Sequence, residues 1–461
     1  MGYMVRKKHR IAVGFISLGC PKNTVDSERM LAEIAEAGFI ISPESYNSDV
    51  IVINTCAFIA PAQAESLDVI KQAVADKADP KQKVSKVIVT GCLPERLGPG
   101  IYSKIDGIDA VIGLDSRDEI AVVIREVLSS GRPVAYFSKS DDPYRHRIPD
   151  DRTRLLITPG HWAYLRISEG CDHHCSFCTI PAIRGRFRSK PPELVLAEAG
   201  ELTSAGVVEL NLIAQDTTFY GRDLKMKDGL ADLLVDLEKI PSPAWIRLIY
   251  SYPTGISEKL IETIAKSEKI VHYLDVPLQH VSDDILRSMR RPDTKNRLRN
   301  LIEDLRSAMS DIVLRTTMIV GYPGETDRHF NELLDFIRWA RFDALGCFRF
   351  YPEAGTAAAE MPGQVPDEIK QQRLDELMLC QQEIAFEKNR SLVGSEITCL
   401  VDSMDSEFLA KGRYYGQAPE IDSLCLIKTG NRQKKHPILP GQFVRTKVIG
   451  TKDYDLIVEP I

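Results

Sequence analysis

Apolar residues run without alternation through positions 11–17, 50–53 and 86–90, as expected of strands buried on both faces. Between and after them, apolar positions recur every three to four residues over 25–37, 62–75 and 117–128, the spacing of helices with one buried face. Short strand followed by amphipathic helix, repeated, predicts a parallel sheet covered by helices. After a break the alternation resumes with longer units. Strands are predicted over 163–168, 207–213, 245–251, 271–278, 312–320 and 344–350, with helical patterns between them, among them 192–204, 282–289 and 327–339. Six strand–helix units are too few to close an eightfold barrel and predict an open, curved one. From 391 onward the pattern changes to short alternating strands with glycine-containing turns, clearest over 396–402, 443–450 and 455–459. A stretch of this kind suits a small β-barrel. The fold class is therefore α/β: an α/β domain over 8–137, an open six-unit (β/α) partial barrel over 159–388, and a small β-barrel over 391–461. Residues 138–158, rich in charge and carrying Pro143, Pro149 and Asp150, read as a linker.

Composition changes the picture in one respect. The formal net charge of −6 gives no broad basic field for nucleic acid and suits a basic protein partner. The first ten residues are polar and basic, and no apolar stretch of signal-peptide length follows. No run approaches the ~18 apolar residues of a membrane span. A cytoplasmic chain without membrane attachment is expected, and such a chain keeps its thiols reduced. Its ten cysteines therefore read better as metal ligands than as disulfides.

Three of them stand in Cys171-Asp-His-His-Cys175-Ser-Phe-Cys178, just beyond a predicted strand. Thiolates are soft ligands for zinc or iron–sulfur clusters. A structural zinc ion takes four ligands, whereas three thiolates on a four-iron cluster leave one iron open. His173 or His174 could complete a zinc site, but no second closely spaced ligand pair lies nearby, and the cluster is the favoured reading. The spacing Cys-x-x-x-Cys-x-aromatic-Cys resembles the hallmark of radical-SAM enzymes. That resemblance implies a cofactor, S-adenosylmethionine (SAM), bound at the open iron, and its reductive cleavage to a 5′-deoxyadenosyl radical that abstracts hydrogen from an unactivated carbon. The cofactor carries that chemistry and the protein aims it. The resemblance also implies that Phe177 flanks the adenine, against plain core packing, and that Glu209 contacts the SAM amino group, against an ordinary solvated carboxylate. In Gly321-Tyr-Pro-Gly-Glu325, at a predicted strand end, glycine would let backbone approach a ligand; an ordinary strand-end turn is the alternative.

Cys20, Cys56 and Cys92 are far apart in sequence, yet each follows a predicted strand, in Ser-Leu-Gly-Cys20-Pro-Lys-Asn, Asn-Thr-Cys56 and Thr-Gly-Cys92-Leu-Pro-Glu-Arg. Carboxyl ends of parallel strands face one crevice, so three thiolates would converge there on a second cluster. Spacing alone leaves three buried structural cysteines equally open. These segments resemble the amino-terminal domain of the methylthiotransferases, and the order of the three segments matches that family, whose small carboxy-terminal barrel is called TRAM. The resemblance implies two 4Fe–4S clusters, one for the radical and one for sulfur delivery, together with an electron donor and a sulfur donor as partners. Cys347, Cys380, Cys399 and Cys425 match no ligand motif and read as structural.

Within the family, Ser-Leu-Gly-Cys20-Pro-Lys-Asn, Arg-Ile-Ser-Glu-Gly-Cys171 and Gln215-Asp216-Thr217 are similar to the branch that adds a methylthio group to the β-carbon of an aspartate in small-subunit ribosomal protein twelve. A tRNA adenosine methylthiotransferase is the alternative, and a non-enzymatic metal-binding scaffold the third. Residues 391–461 carry nine Lys and Arg against nine Asp and Glu. A barrel gripping tRNA phosphates would carry a basic surplus, so tRNA is not the expected partner. The run Arg432-Gln-Lys-Lys435 reads as a solvated loop.

Overall fold

A computed structural model describes residues 10–137, 148, 150–430 and 437–461; most of the expected linker and the run Arg432-Gln-Lys-Lys435 lie outside the described residues. The chain divides into two compact units. One comprises residues 1–157, 169–172 and 178–188; the other 158–168, 173–177 and 189–461.

In the first unit six parallel strands, β1 (Ala12–Ser17), β2 (Ile40–Ser42), β3 (Val50–Thr55), β4 (Lys86–Gly91), β5 (Ala110–Ile112) and β6 (Val134–Tyr136), stand in the order β2-β1-β3-β4-β5-β6. Helices α1 (Pro21–Glu36), α2 (Ala60–Ala78), α3 (Cys92–Leu97) and α4 (Ile120–Ser130) connect them. Strand β3 is buried throughout, which explains its unbroken apolar run. Val50 and Val52 pack toward one core with Met30, Ile34 and Ile124, while Ile51 and Ile53 pack toward another with Ile70 and Val87. The three-residue strands β2, β5 and β6 were not anticipated, being too short to show a period. A further short helix, α5 (Ile180–Arg184), also belongs to this unit.

The second unit holds a second parallel sheet in the order β14-β13-β12-β11-β10-β7. Its members are β7 (Trp162–Arg166), β10 (Glu209–Ile213), β11 (Trp245–Leu248), β12 (Ile270–Asp275), β13 (Val313–Val320) and β14 (Ala344–Arg349); β8 (Ser168–Glu169) and β9 (Arg188–Ser189) are two-residue pieces. All six predicted core strands are present, the sheet is open, and helices α6 (Pro192–Ser204) to α11 (Asp327–Ala340) lie between its strands. The helix α12 (Asp367–Ser391) leads to a closed five-stranded barrel, β15 (Glu396–Ser406), β16 (Leu409–Tyr414), β17 (Cys425–Lys428), β18 (Phe443–Lys452) and β19 (Asp455–Pro460). Cys399 and Cys425 fill its core beside Val401, Ile427 and Val458, in the structural role expected of them. No described helix is long and apolar enough to cross a membrane.

A buried ionic chain joins this barrel to the amino end of the sheet. Glu209 starts β10 and takes Arg247 Nε at 2.9 Å and Arg413 Nη1 at 2.7 Å. Arg413 also forks onto Asp402 at 2.8 and 2.9 Å, and Asp402 meets His161 Nε2 at 2.9 Å. Burial alone would raise Asp402, but the hydrogen bonds from His161 and Arg413 outweigh it and hold the carboxyl below its ordinary value.

Candidate functional site

The order β2-β1-β3-β4 changes direction between β1 and β3, and open α/β sheets bind ligands beyond the carboxyl ends of their strands at such a switch point. Cys20 follows β1 and precedes the first turn of α1, where Pro21 fits because its missing N–H would be unpaired anyway. Cys56 follows β3, and its backbone N–H and C=O both bond the Ser66 hydroxyl, at 3.1 and 2.9 Å. Cys92 follows β4 behind Gly91, whose φ of +98° and whose approach to Asn54 and Thr55 exclude any side chain; a Cβ there would lie 2.3 Å from Asn54 Oδ1. The three thiols thus leave neighbouring strands at one edge. Their mutual repulsion contributes to the shifts of Cys56 and Cys92. Burial pushes Cys56 up and Cys92 up to about 12, with Arg184 pulling both back.

Amide side chains fix the loops. Asn23 donates to Leu18 O and Thr55 O, each at 2.9 Å, and Asn54 donates to Asn23 O and Ser27 Oγ at the same distance. Arg184 reaches the same place: Nη2 lies 2.5 Å from Asn23 Oδ1 and 3.3 Å from Cys92 Sγ, and Nη1 lies 2.9 Å from Asp26 and 3.3 Å from Glu169. Lys22 is buried here too. Burial lowers its ammonium, and Cys20, Glu169 and Cys92 oppose that.

The other cysteine loop begins at Gly170, where φ is +78° and a Cβ would sit 2.1 Å from Arg186 O. Cys171 N–H bonds Gly185 O at 3.1 Å, Asp172 takes Arg186 at 2.7 and 3.1 Å, and Cys178 Sγ accepts Ile180 N–H at 3.5 Å. In the second unit, His173 Nε2 meets Asp216 Oδ2 at 2.7 Å and its ring stacks on Tyr252 at 3.9 Å. Arg291 covers Tyr252 at 4.2 Å. Tyr252 Oη, Arg291 Nε and Asp293 Oδ2 are buried there without a hydrogen-bond partner among the described residues. Burial raises Asp293, against the pull of Arg291. Asp216, Tyr252 and Arg291 lie beyond the carboxyl ends of β10, β11 and β12, the ligand-binding face of such barrels.

Three expectations about SAM contacts need revision. Glu209 is at the amino end of β10, paired in register with the first residues of β7 and β11, with both carboxylate oxygens facing arginines. Five residues of strand, ~16 Å, separate that end from the carboxyl face, so it is not a SAM contact. Glu325 closes its own turn: Oε2 accepts Gly321 N–H at 2.9 Å and Oε1 accepts Arg373 at 3.0 Å. Gly321 is needed because its φ is +72° and a Cβ would strike Lys370 at 2.2 Å, which makes this a strand-end turn. Phe177 is half-buried against Ile285, Met289, Tyr322 and Phe350. Asn23 and Arg184, which meet beside Cys92, and the pairing of His173 with Asp216 were not anticipated from the sequence. For Asp216 the run Gln215-Asp216-Thr217 was a signal; Arg184 had none.

The donor chemistry fits iron–sulfur clusters. All ten cysteines are free thiols. Among the described residues no three His, Cys, Asp or Glu gather closely enough to hold a single metal ion.

Three family models match: Uncharacterized protein family UPF0004 over residues 12–113, Radical SAM superfamily over 165–337, and TRAM domain over 393–461. A solved structure of the radical S-adenosylmethionine methyltransferase TsrM from Kitasatospora setae, with cobalamin and a 4Fe–4S cluster bound, shares the fold. Its TM-score is 0.53 at 13% identity, covering 76% of this chain and 77% of that one. Fold and cysteine loop together define a radical-SAM enzyme. Over nearly its full length the chain is similar to ribosomal protein uS12 methylthiotransferase RimO from Geobacter sulfurreducens, at 43% identity over 97% of this chain and 98% of that protein. It is similarly related to RimO of Pelotomaculum thermopropionicum, at 43% over 98% and 99%. The chain belongs to the RimO family of radical-SAM methylthiotransferases.

Proposed function

We propose that this enzyme adds a methylthio group to the β-carbon of an aspartate in ribosomal protein uS12. What supports the reading is that Cys20, Cys56 and Cys92 each follow one of three neighbouring parallel strands, β1, β3 and β4, at the same edge of the first sheet, in a chain that separately carries Cys171, Cys175 and Cys178. Each set supplies three thiolates to a 4Fe–4S cluster, and three-thiolate ligation leaves one iron of each open. When bound, the second of these clusters supplies the electron that cleaves SAM, and the first holds the sulfur that is methylated and transferred.

The chain's own residues set the geometry. Gly170 and the Asp172–Arg186 fork fix the backbone around Cys171, and Asp216 orients His173 between Cys171 and Cys175. Phe177, half-buried against Ile285, Met289, Tyr322 and Phe350, would flank the adenine. The partners are uS12 as substrate, an electron donor and a sulfur donor, with tRNA disfavoured by the balanced charge of the barrel. A ribosomal substrate supports a cytoplasmic location. The domain boundaries that fit are 8–137, 159–388 and 391–461.

The test incubates anaerobically reconstituted enzyme with reductant, methyl-labelled SAM, ribosomes and bulk tRNA, and locates the label. Label on uS12, at an aspartate heavier by one methylthio group, is the expected result. Label in tRNA would overturn the substrate while keeping the radical chemistry.

A further inference from the structure

Arg184 stands 92 residues from Cys92 in sequence and 161 from Asn23, yet its guanidinium is buried against both. Four of its contacts are accounted for. Nη1 holds Asp26 and Glu169; Nη2 holds Asn23 Oδ1 at 2.5 Å and points a second time at Cys92 Sγ, 3.3 Å away. Asp26 is fixed in turn by Arg117 at 3.0 Å, so the guanidinium sits in a clamp that leaves it one orientation. Carboxylates compensate the charge of a buried arginine, and its remaining N–H groups also need acceptors. One of those acceptors is a thiol sulfur, on the most deeply buried cysteine of the three.

Arg184 is also the last residue of α5, whose first backbone N–H, from Ile180, bonds Cys178 Sγ at 3.5 Å. One five-residue helix thus touches a sulfur of each cysteine set, with ~6 Å of helix axis between Ile180 and Arg184. Nothing in the proposed reaction so far uses this residue.

We infer that Arg184 is a positioning residue for the Cys20–Cys56–Cys92 cluster, donating an N–H to the Cys92 ligand sulfur and setting that cluster's reduction potential. The inference rests on the two-cluster reading above. Hydrogen bonds to ligand sulfurs and nearby positive charge favour the reduced, more negative form of a cluster and raise its potential. The fixed fork also aims the Cys92 thiolate into the crevice, where a rotated side chain would present it elsewhere.

The experiment starts from a parent protein carrying Cys171→Ala, Cys175→Ala and Cys178→Ala, so that only one cluster remains to be read. Iron content, EPR spectrum and midpoint potential are measured for this parent and for its Arg184→Lys and Arg184→Gln versions. The parent should hold about four irons; a parent without iron sinks the two-cluster reading, whatever Arg184 does. Given a loaded parent, Arg184→Gln should keep iron and shift the midpoint to lower potential, with Arg184→Lys shifted less because it keeps the charge and loses the fork. In the enzyme with all six cysteines, Arg184→Lys should slow methylthiolation about tenfold more than it slows SAM cleavage. Loaded variants whose midpoints equal the parent's would overturn the inference. So would loss of the thermal transition in both variants, because Arg184 would then be only a structural partner of Asp26 and Glu169.

Discussion

Glu209 was expected to hold SAM and is instead the hub of an ionic chain, and the two assignments separate under one substitution. Glu209→Gln keeps the shape and removes the charge. Glu209 and both its partners, Arg247 and Arg413, are almost entirely buried. Breaking one partner of a buried pair costs about 3–5 kcal/mol because the remaining charge stays uncompensated. Arg413 keeps Asp402, and the amide can still accept one hydrogen bond, so the lower figure of about 3 kcal/mol applies. For a unit of this size 1 kcal/mol moves Tm by about 2 °C, giving a fall of about 6 °C. All three tryptophans, Trp162, Trp245 and Trp339, lie in the second unit, and the first two start the strands flanking Glu209. Tryptophan fluorescence therefore reports the right transition. SAM affinity of the reconstituted variant, measured by equilibrium binding, should stay within twofold of wild type below that transition. An unchanged Tm together with a tenfold weaker SAM affinity would refute the ionic-hub assignment.

Other consequences can be checked singly. Cys175→Ala should abolish deoxyadenosine formation, while Cys56→Ala should spare it in part and end methylthiolation; equal loss of both activities would refute separate roles for the two cysteine sets. Gly170→Ala, which forces a Cβ against Arg186 O, should lower Tm and reduce iron loading by about half or more, as metal analysis would report; full loading would show that the turn tolerates a side chain. Asp216→Asn weakens a charge-assisted hydrogen bond to His173 worth ~1.5 kcal/mol, so SAM cleavage should slow about tenfold with iron content retained. Asp402 has a depressed carboxyl, so its contribution to stability is complete above the unfolded value near ~4 and is lost as pH falls through the folded value. Asp402→Asn should flatten the drop in Tm below pH 4, and an unchanged acid limb would exclude it as a source.

The two parallel sheets were legible because short, mostly apolar strands alternate with amphipathic helices, and the apolar run is unbroken over Val50–Ile53 of β3. The placement of both cysteine sets just beyond strand ends was legible because those runs mark where the strands stop. The strands β2, β5, β6 and β17 escaped notice: at three or four residues they show no period, and their pairing is decided by neighbours distant in sequence. The same reason hid Arg184, whose meaning depends on a helix packing beside residues far up the chain. Glu209 was misplaced by counting it from the preceding glycine rather than by asking which end of β10 it occupies.

The chain from His161 through Asp402, Arg413 and Glu209 to Arg247 has a bearing on heredity. Three of its links come from the core and two from the barrel, and none is complete alone. A recombination that exchanged residues 393–461 for a foreign barrel would leave Glu209 with Arg247 alone and His161 without its carboxylate, unless Arg413 and Asp402 had equivalents in the newcomer. Barrels in this lineage should therefore pass between enzymes only with their matching core residues, and chimaeras made to swap substrates will need the ionic pair grafted along with the loops.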